Sequence, residues 1–242
     1  MLNRTVARPE HHSSETRHAE VPQRQFQAPT SLTEQIANHL TTEIITGRLR
    51  AGQRIGEQDV AQTLGVSRGS VREALLIVER RHLIDIVPRR GAVVTQLTKR
   101  QLDDLFDLNE SLYRMIGQQM ARLWDDDDRP IFERALESIR TAADASDVSA
   151  YCDGCERFLG AALALVRNRH LDTVIDTLLP LNRRAFHDLI ELDPTLLDAG
   201  ADGWQSFFEA MASGQPDRVS DAVNAALDRY REAVLRCGPG PC

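Results

Sequence analysis

Two arginines four residues apart, Arg68 and Arg72 in the run SRGSVREAL, have the type and spacing that point most directly to a chemistry. On a helix, that spacing projects both guanidinium groups from one face. A guanidinium is a permanent cation with a planar fork of donors, which suits a phosphate or the major-groove edge of guanine. Ser67, Gly69 and Ser70 beside them are small, so the start of such a helix can come close to a duplex. That end also offers free amides and the positive end of the helix dipole to a phosphate. A second basic pair, Arg89 and Arg90, precedes Gly91 in PRRG. A turn there would carry both to the minor groove or the sugar-phosphate backbone. Arg80 and Arg81 lie at the far end of the same stretch and read as surface residues. The chemistry implied is non-covalent recognition of double-stranded DNA.

Other candidate chemistries are weaker. Cys152 and Cys155 form a lone C-x-x-C, with Cys237 and Cys242 as the other cysteines. Zinc would need two more ligands, and redox sensing would need a lowered thiol pKa. Incidental thiols are the expectation, and a thiol-based redox-sensing regulator is the alternative. Asp125–Asp128 reads as a solvated turn at a helix start, where carboxylates meet the positive dipole end. His170 and His187 lack ligand spacing. No phosphate-binding glycine loop, H-E-x-x-H or G-x-S-x-G is present, so neither an enzyme nor a bound cofactor is expected.

The elements needed to position these residues follow from periodicity. Residues 1–30 are polar and without hydrophobic period, and are expected to be a disordered tail. In SLTEQIANHLTTEIITG, Leu32, Ile36, His39, Leu40 and Ile44 fall at helical spacing, closed by Gly47. A short extended piece follows. A second helix turns Val60, Ala61 and Leu64 inward and stops at Gly65. Ser67 is the expected N-cap of a third helix, which buries Val71, Ala74, Leu75 and Val78. LIDIV and AVVTQL, joined by PRRG, read as a hairpin. Helix, turn, helix and hairpin make a winged helix-turn-helix over 31–97.

From Thr98 the pattern is helical throughout. Leu102, Leu105, Leu112, Ile116 and Leu123 lie near one face, and further segments run at roughly 129–145, 147–167, 170–192, 202–213 and 216–236. The fold class is mainly α: an N-terminal winged helix-turn-helix, a C-terminal all-α bundle over 98–237, and a frayed end at 238–242. Charge divides the same way. Residues 1–30 carry net +1 and 31–98 net +2, against −10 for the rest and −7 overall. One segment suits a polyanion and the other does not. No apolar run approaches the roughly 20 residues that span a bilayer, and a cytoplasmic protein without membrane contact is expected.

Residues 31–95 resemble the winged helix of GntR-superfamily bacterial regulators, in the pattern I-x-x-G-x-L…LGVSR-x-x-VREAL followed by R-G-A-x-V. The remainder, beginning TKRQLDDLFDLNESLY, resembles the C-terminal domain of the FadR-type branch. The resemblance implies a homodimer on a palindromic operator, usually a repressor released by a small metabolite. It assigns base or phosphate contacts to Arg68 and Arg72, a wing contact to Arg90 and Gly91, and a contact position to Gln58, which is arginine in some relatives.

The resemblance also implies a divalent-metal site in many relatives, and this chain departs from it. Phe158 and Asn168 match the pattern, but the ligand positions fall on Cys155, Leu159, near Trp204 and near Ala226. Leucine, alanine and tryptophan do not ligate a cation, so no metal is expected. An Arg and a Glu of the first helix are replaced, giving Asn109 and Tyr113. Asn109, Tyr113, Cys155, Leu159, Trp204 and Phe208, with Phe207, are the expected lining of an apolar effector pocket. The competing expectation is that these side chains fill the old site as core.

Overall fold

In the computed structural model, residues 31–236 are described; the expected tail at 1–30, Cys237 and the expected frayed end at 238–242 lie outside them. The first helix, α1 (Leu32–Ile45), precedes a two-residue strand β1 (Arg54–Ile55), α2 (Glu57–Leu64) and α3 (Arg68–Arg80). Gly65 ends α2 with φ +66°, its amide donating to Ala61 O. Ser67 caps α3, accepting from the Ser70 amide at 3.1 Å. The hairpin is β2 (Ile84–Val87) and β3 (Gly91–Val94), and β1 adds to its other edge in the antiparallel order β1-β3-β2.

The buried stripe of α1 is Ile36, Ala37, Leu40, Thr41 and Ile44. Leu32 is 51% exposed and His39 is also outside, so the inward face lies one residue step later than the sequence suggested. Arg81 is a correction as well. Its guanidinium is half-buried and donates to Thr41 Oγ1 at 2.9 Å and Asn38 Oδ1 at 2.8 Å, tying the end of α3 to α1.

The helical part comprises α4 (Lys99–Leu123), a 3₁₀ turn at Asp126–Asp128, α5 (Arg129–Asp144), α6 (Val148–Val166), α7 (Arg169–Leu192), α8 (Leu196–Ala212) and α9 (Pro216–Arg236). Thr98 and Gln101 form a reciprocal capping box that starts α4. Asn168 caps α7, accepting from the His170 and Leu171 amides. Leu123 ends α4 beyond the core and is exposed. Helix α8 starts at Leu196, six residues before the sequence suggested, and runs through Gly200 without a break.

The buried apolar side chains form two clusters, one from Ile36 to Val94 and one from Leu97 to Val234. Both belong to one compact unit. Arg184 of α7, 3% exposed, joins them: it donates to Thr95 Oγ1 at 2.8 Å and to Thr95 O at 2.7 Å.

Gly117 of α4 tests the packing of the larger cluster. A Cβ there would stand 2.5 Å from Val219 Cγ1 and 2.6 Å from Phe207, both buried side chains. Glycine to alanine inside a helix ordinarily stabilises by about 1 kcal/mol, whereas overpacking costs about 1–3 kcal/mol. Because neither neighbour can retreat into solvent, the second effect wins. Gly117→Ala is expected to lower Tm in thermal unfolding; a raised Tm would show that α4 has room.

Candidate nucleic-acid interface and ligand cavity

The cap on α3 sets the geometry of the basic face. Ser67 holds the first turn, and Arg68 and Arg72 leave it with side chains 62% and 66% exposed. Both turn to one carboxylate. Arg72 forks onto Glu57 of α2, Nε to Oε1 at 3.0 Å and Nη2 to Oε2 at 2.8 Å. Arg68 Nη2 lies 3.9 Å from the same Oε2. The Arg72 hydrogen bond, aided by the charges of Arg72 and Arg68, holds the Glu57 carboxyl below the usual range. Gly69 is exposed, Ser70 is half-buried, and Gln58 is exposed beside Glu57.

The wing tip is a turn closed by the Arg90 amide donating to Val87 O at 3.0 Å. Pro88 takes its second position and Arg89 its third, with φ +66°, the pattern of a type II turn. Arg89, Arg90 and Gly91 are all exposed. Arg54 of β1 lies against Gly91, where a Cβ would meet its Nε at 3.8 Å. Sequence reasoning missed Arg54 and Glu57. Glu57 is fifteen residues from Arg72, and no local spacing marks such a pair.

A cavity of about 90 Å³ lies within the helical part. Tyr113, Cys155, Leu159 and Trp204 line it, as does Ala226, so the four positions matched to metal ligands converge on one space. Their donor set does not fit a divalent cation: a thiol, two hydrocarbon side chains and an indole. Among the described residues no cluster of His, Cys, Asp or Glu has metal-binding geometry.

Two expected lining residues lie elsewhere. Asn109 is fully buried behind the wall, paired with Asn182 through amide contacts of 2.8 and 3.1 Å, and Asn182 faces the cavity. Phe208 packs on Trp124 and Phe132, with the Arg129 guanidinium 5.5 Å over its ring. Its neighbour Phe207 takes the cavity position, because one residue along a helix rotates a side chain by about 100°. Tyr151, Tyr230 and Gly200 also line the cavity. They sit on three different helices, and nothing in the sequence brings them together.

Cys152 and Cys155 lie inside α6. Burial pushes the Cys152 thiol up to about 12 and the Cys155 thiol well above its ordinary value. Neither carries the thiolate that redox chemistry at neutral pH requires. At the cavity edge Arg183 donates to Glu156 at 3.0 Å and pairs with Asp153 at 2.6 Å.

Comparisons with known proteins bear on both features. A family model described as bacterial regulatory proteins, gntR family, matches residues 32–94, and the FCD domain model matches 104–229. The chain is 26% identical over 149 residues to the uncharacterised HTH-type regulator YdhC of Bacillus subtilis, covering 61% of this chain and 66% of that one. It is 21% identical over 215 residues to a probable D-xylose utilization operon transcriptional repressor of Paenarthrobacter nicotinovorans, covering 87% and 92%. The solved structure of Escherichia coli McbR/YncC superposes with a TM-score of 0.71 at 22% identity, over 85% of this chain and 98% of that one. In sequence the chain spans 53% of McbR's length, at 29% identity.

The Glu57 clamp has a measurable consequence. Glu57→Gln removes one negative charge and releases Arg68 and Arg72. Binding to a random-sequence duplex is expected to tighten about 3- to 10-fold, with the salt slope steeper by about one unit. Fluorescence anisotropy across a salt series measures both; unchanged affinity and slope would show that the carboxylate does not compete with phosphate.

Proposed function

From the premise that this chain belongs to the gntR family of bacterial regulatory proteins, with an FCD domain, we propose that it is a repressor of a metabolic operon, released by a small organic effector. It is a transcriptional regulator and not an enzyme. The observation that carries the reading is the Ser67-capped start of α3 with two exposed arginines on one face. In this reading Arg68 and Arg72 enter the major groove, and Arg89, Arg90 and Gly91 follow the adjacent backbone or minor groove. Gln58 adds a neutral contact beside them. Two copies related by a two-fold axis would read the two halves of a palindromic operator. Leu108 and Met115, seven residues apart on α4 and each more than 40% exposed, are a face that a second copy would cover. Repression is the action named for the Paenarthrobacter relative. The site of action is the cytoplasm, with the DNA; among the described residues no helix is long and apolar enough to cross a membrane.

The cavity is the effector site in this reading, and α7 is its link to the DNA. Leu179, Asn182, Arg183 and Phe186 present one face of α7 to the cavity. Arg184 holds Thr95 from the same helix, and Thr95 Oγ1 lies 3.2 Å from His82 O and 3.1 Å from Leu83 O, just past α3. Pro180 has no amide to donate inside α7, which loosens the ladder one turn before Arg184. A ligand that displaces this part of α7 would therefore act on the exit of the recognition helix.

Two measurements test the reading. Gel retardation on the DNA upstream of the chain's own coding sequence should show a discrete complex. Arg72→Ala should weaken it at least tenfold, within the 1–3 kcal/mol expected of a bidentate base contact; no retardation of that DNA at low salt would sink the proposal. For the link, Arg184→Met removes both donors to Thr95 and leaves the partly buried Asp188 without its cation. Hydrogen exchange at the Leu83 and Thr95 amides should speed up at least tenfold, an opening cost lower by about 1.4 kcal/mol. Unchanged exchange there would separate α7 from α3.

A further inference from the structure

The hydroxyls of Tyr151 on α6 and Tyr230 on α9 meet in the cavity with their oxygens 3.3 Å apart. They meet over Gly200 of α8, where any Cβ would collide with both. The glycine gives α8 a gap in its side-chain surface, and the two hydroxyls occupy it. Two hydroxyls hold two protons, and one bond between them uses one. The other is free for a guest, or for the Cys155 sulfur when none is bound. Tyr113 adds a third hydroxyl to the lining. Burial raises all three phenols, which therefore stay protonated donors at neutral pH.

Most of the rest of the lining is apolar, with the Asn182 amide and the Cys152 and Cys155 thiols as neutral polar groups. Leu159, Trp204, Phe207, Val223 and Leu227 are apolar. The charged groups at the edge satisfy each other: Arg183 binds Glu156, Asp153 and the Ser149 oxygens. A carboxylate guest would have to take Arg183 from its carboxylates, and an ammonium would have to take Glu156 or Asp153 from Arg183. Either exchange leaves a charge unpaired beside an apolar space. The space is also small. Its volume is about 90 Å³.

We infer that the effector is a neutral, compact, mostly hydrocarbon molecule with one oxygen function, an alcohol, phenol, ketone or aldehyde, bound at that oxygen by Tyr151 and Tyr230 over Gly200. This rests on the reading of the cavity as the effector site. The hydroxyl pair supplies the polar recognition, and the aromatic and aliphatic walls supply burial. Carboxylates and amines of the same size are rejected by desolvation.

Three ring compounds of one skeleton test the inference on the full chain: cyclopentanol, methylcyclopentane and cyclopentanecarboxylate. Binding is read by calorimetry and by the shift in Tm. Cyclopentanol is expected to bind most tightly and the carboxylate at least tenfold more weakly. The double variant Tyr151→Phe, Tyr230→Phe should weaken the alcohol about 3- to 10-fold, as loss of one hydrogen bond does, and leave methylcyclopentane unchanged. Gly200→Ala is the second variant. It keeps both phenols but drives their hydroxyls off the floor, and should produce the same selective loss. The inference is overturned if the carboxylate binds more tightly than the alcohol, if neither variant changes alcohol affinity, or if none of the three binds. Gel retardation of the upstream DNA is measured on the same preparation. Retardation without ligand binding removes the ligand assignment alone, and absent retardation removes the regulator reading independently.

Discussion

A guanidinium that is 3% exposed must find acceptors inside the protein, and Arg184 finds them in Thr95 and Asp188. Burial pushes the arginine's pKa down and that of Asp188 up, and the charge of each works against that shift in the other. Breaking such a pair costs more than forming it gains, because the remaining charge is stranded. Thr95 therefore cannot drift from α7. Thr95 is also where β3 ends, and its hydroxyl reaches the carbonyls of His82 and Leu83. His82 has φ +58° without being glycine, a conformation held only where surrounding contacts fix it. One buried cation thus sets where α7 lies, where the wing ends and how the chain leaves the recognition helix.

The same charge type does the opposite work at the other end of α3. Arg68 and Arg72 are mostly exposed, so their pairing with Glu57 adds little stability. Its effect is on order. A bidentate fork fixes the long Arg72 side chain that would otherwise sample many rotamers. The carboxylate also offsets part of the attraction to any phosphate. In the proposed reading a clamp of this kind lowers indiscriminate binding, and a specific base edge has to outcompete it. The acidic helical part, net −10, adds a longer-range bias that keeps the rest of the surface off the duplex.

The DNA-facing half was legible because its signals are local. Ser67 precedes its helix, Gly65 ends the previous one, and Pro88 to Gly91 sit at the hairpin tip; each is a choice made within a few residues. Arg81 was misread as surface because Asn38 and Thr41 lie about forty residues away, and periodicity carries no information about such a partner. Glu57, Arg184 and the Tyr151–Tyr230 pair were invisible for the same reason. Gly200 is the reverse case. It is a packing gap inside a continuous helix, and the tyrosines that fill it explain it. Matching positions to the ligand pattern gathered residues that line one cavity, while Phe208, named with Phe207, lies one helical step outside it.

That wall explains why an apolar site can stand where relatives are expected to hold a metal. Three helices, α6, α8 and α9, that bring these positions to one point also create a space no single helix can fill. Replacing the ligands by Cys155, Leu159, Trp204 and Ala226 removes the cation but not the space, because the positions are set by Phe158, Ile139, Val219 and the other buried residues around them. Trp204 restores part of the lost volume, and Ala226 leaves some of it open. Gly203 is what allows this compromise, since a Cβ there would press on the Ala226 Cβ at 2.9 Å. Filling the vacated site as core would need a larger residue at Ala226. Ala226 instead lines one face of the cavity with Gly200 and Gly203, and the Tyr151 and Tyr230 hydroxyls bring polar atoms to its floor over Gly200.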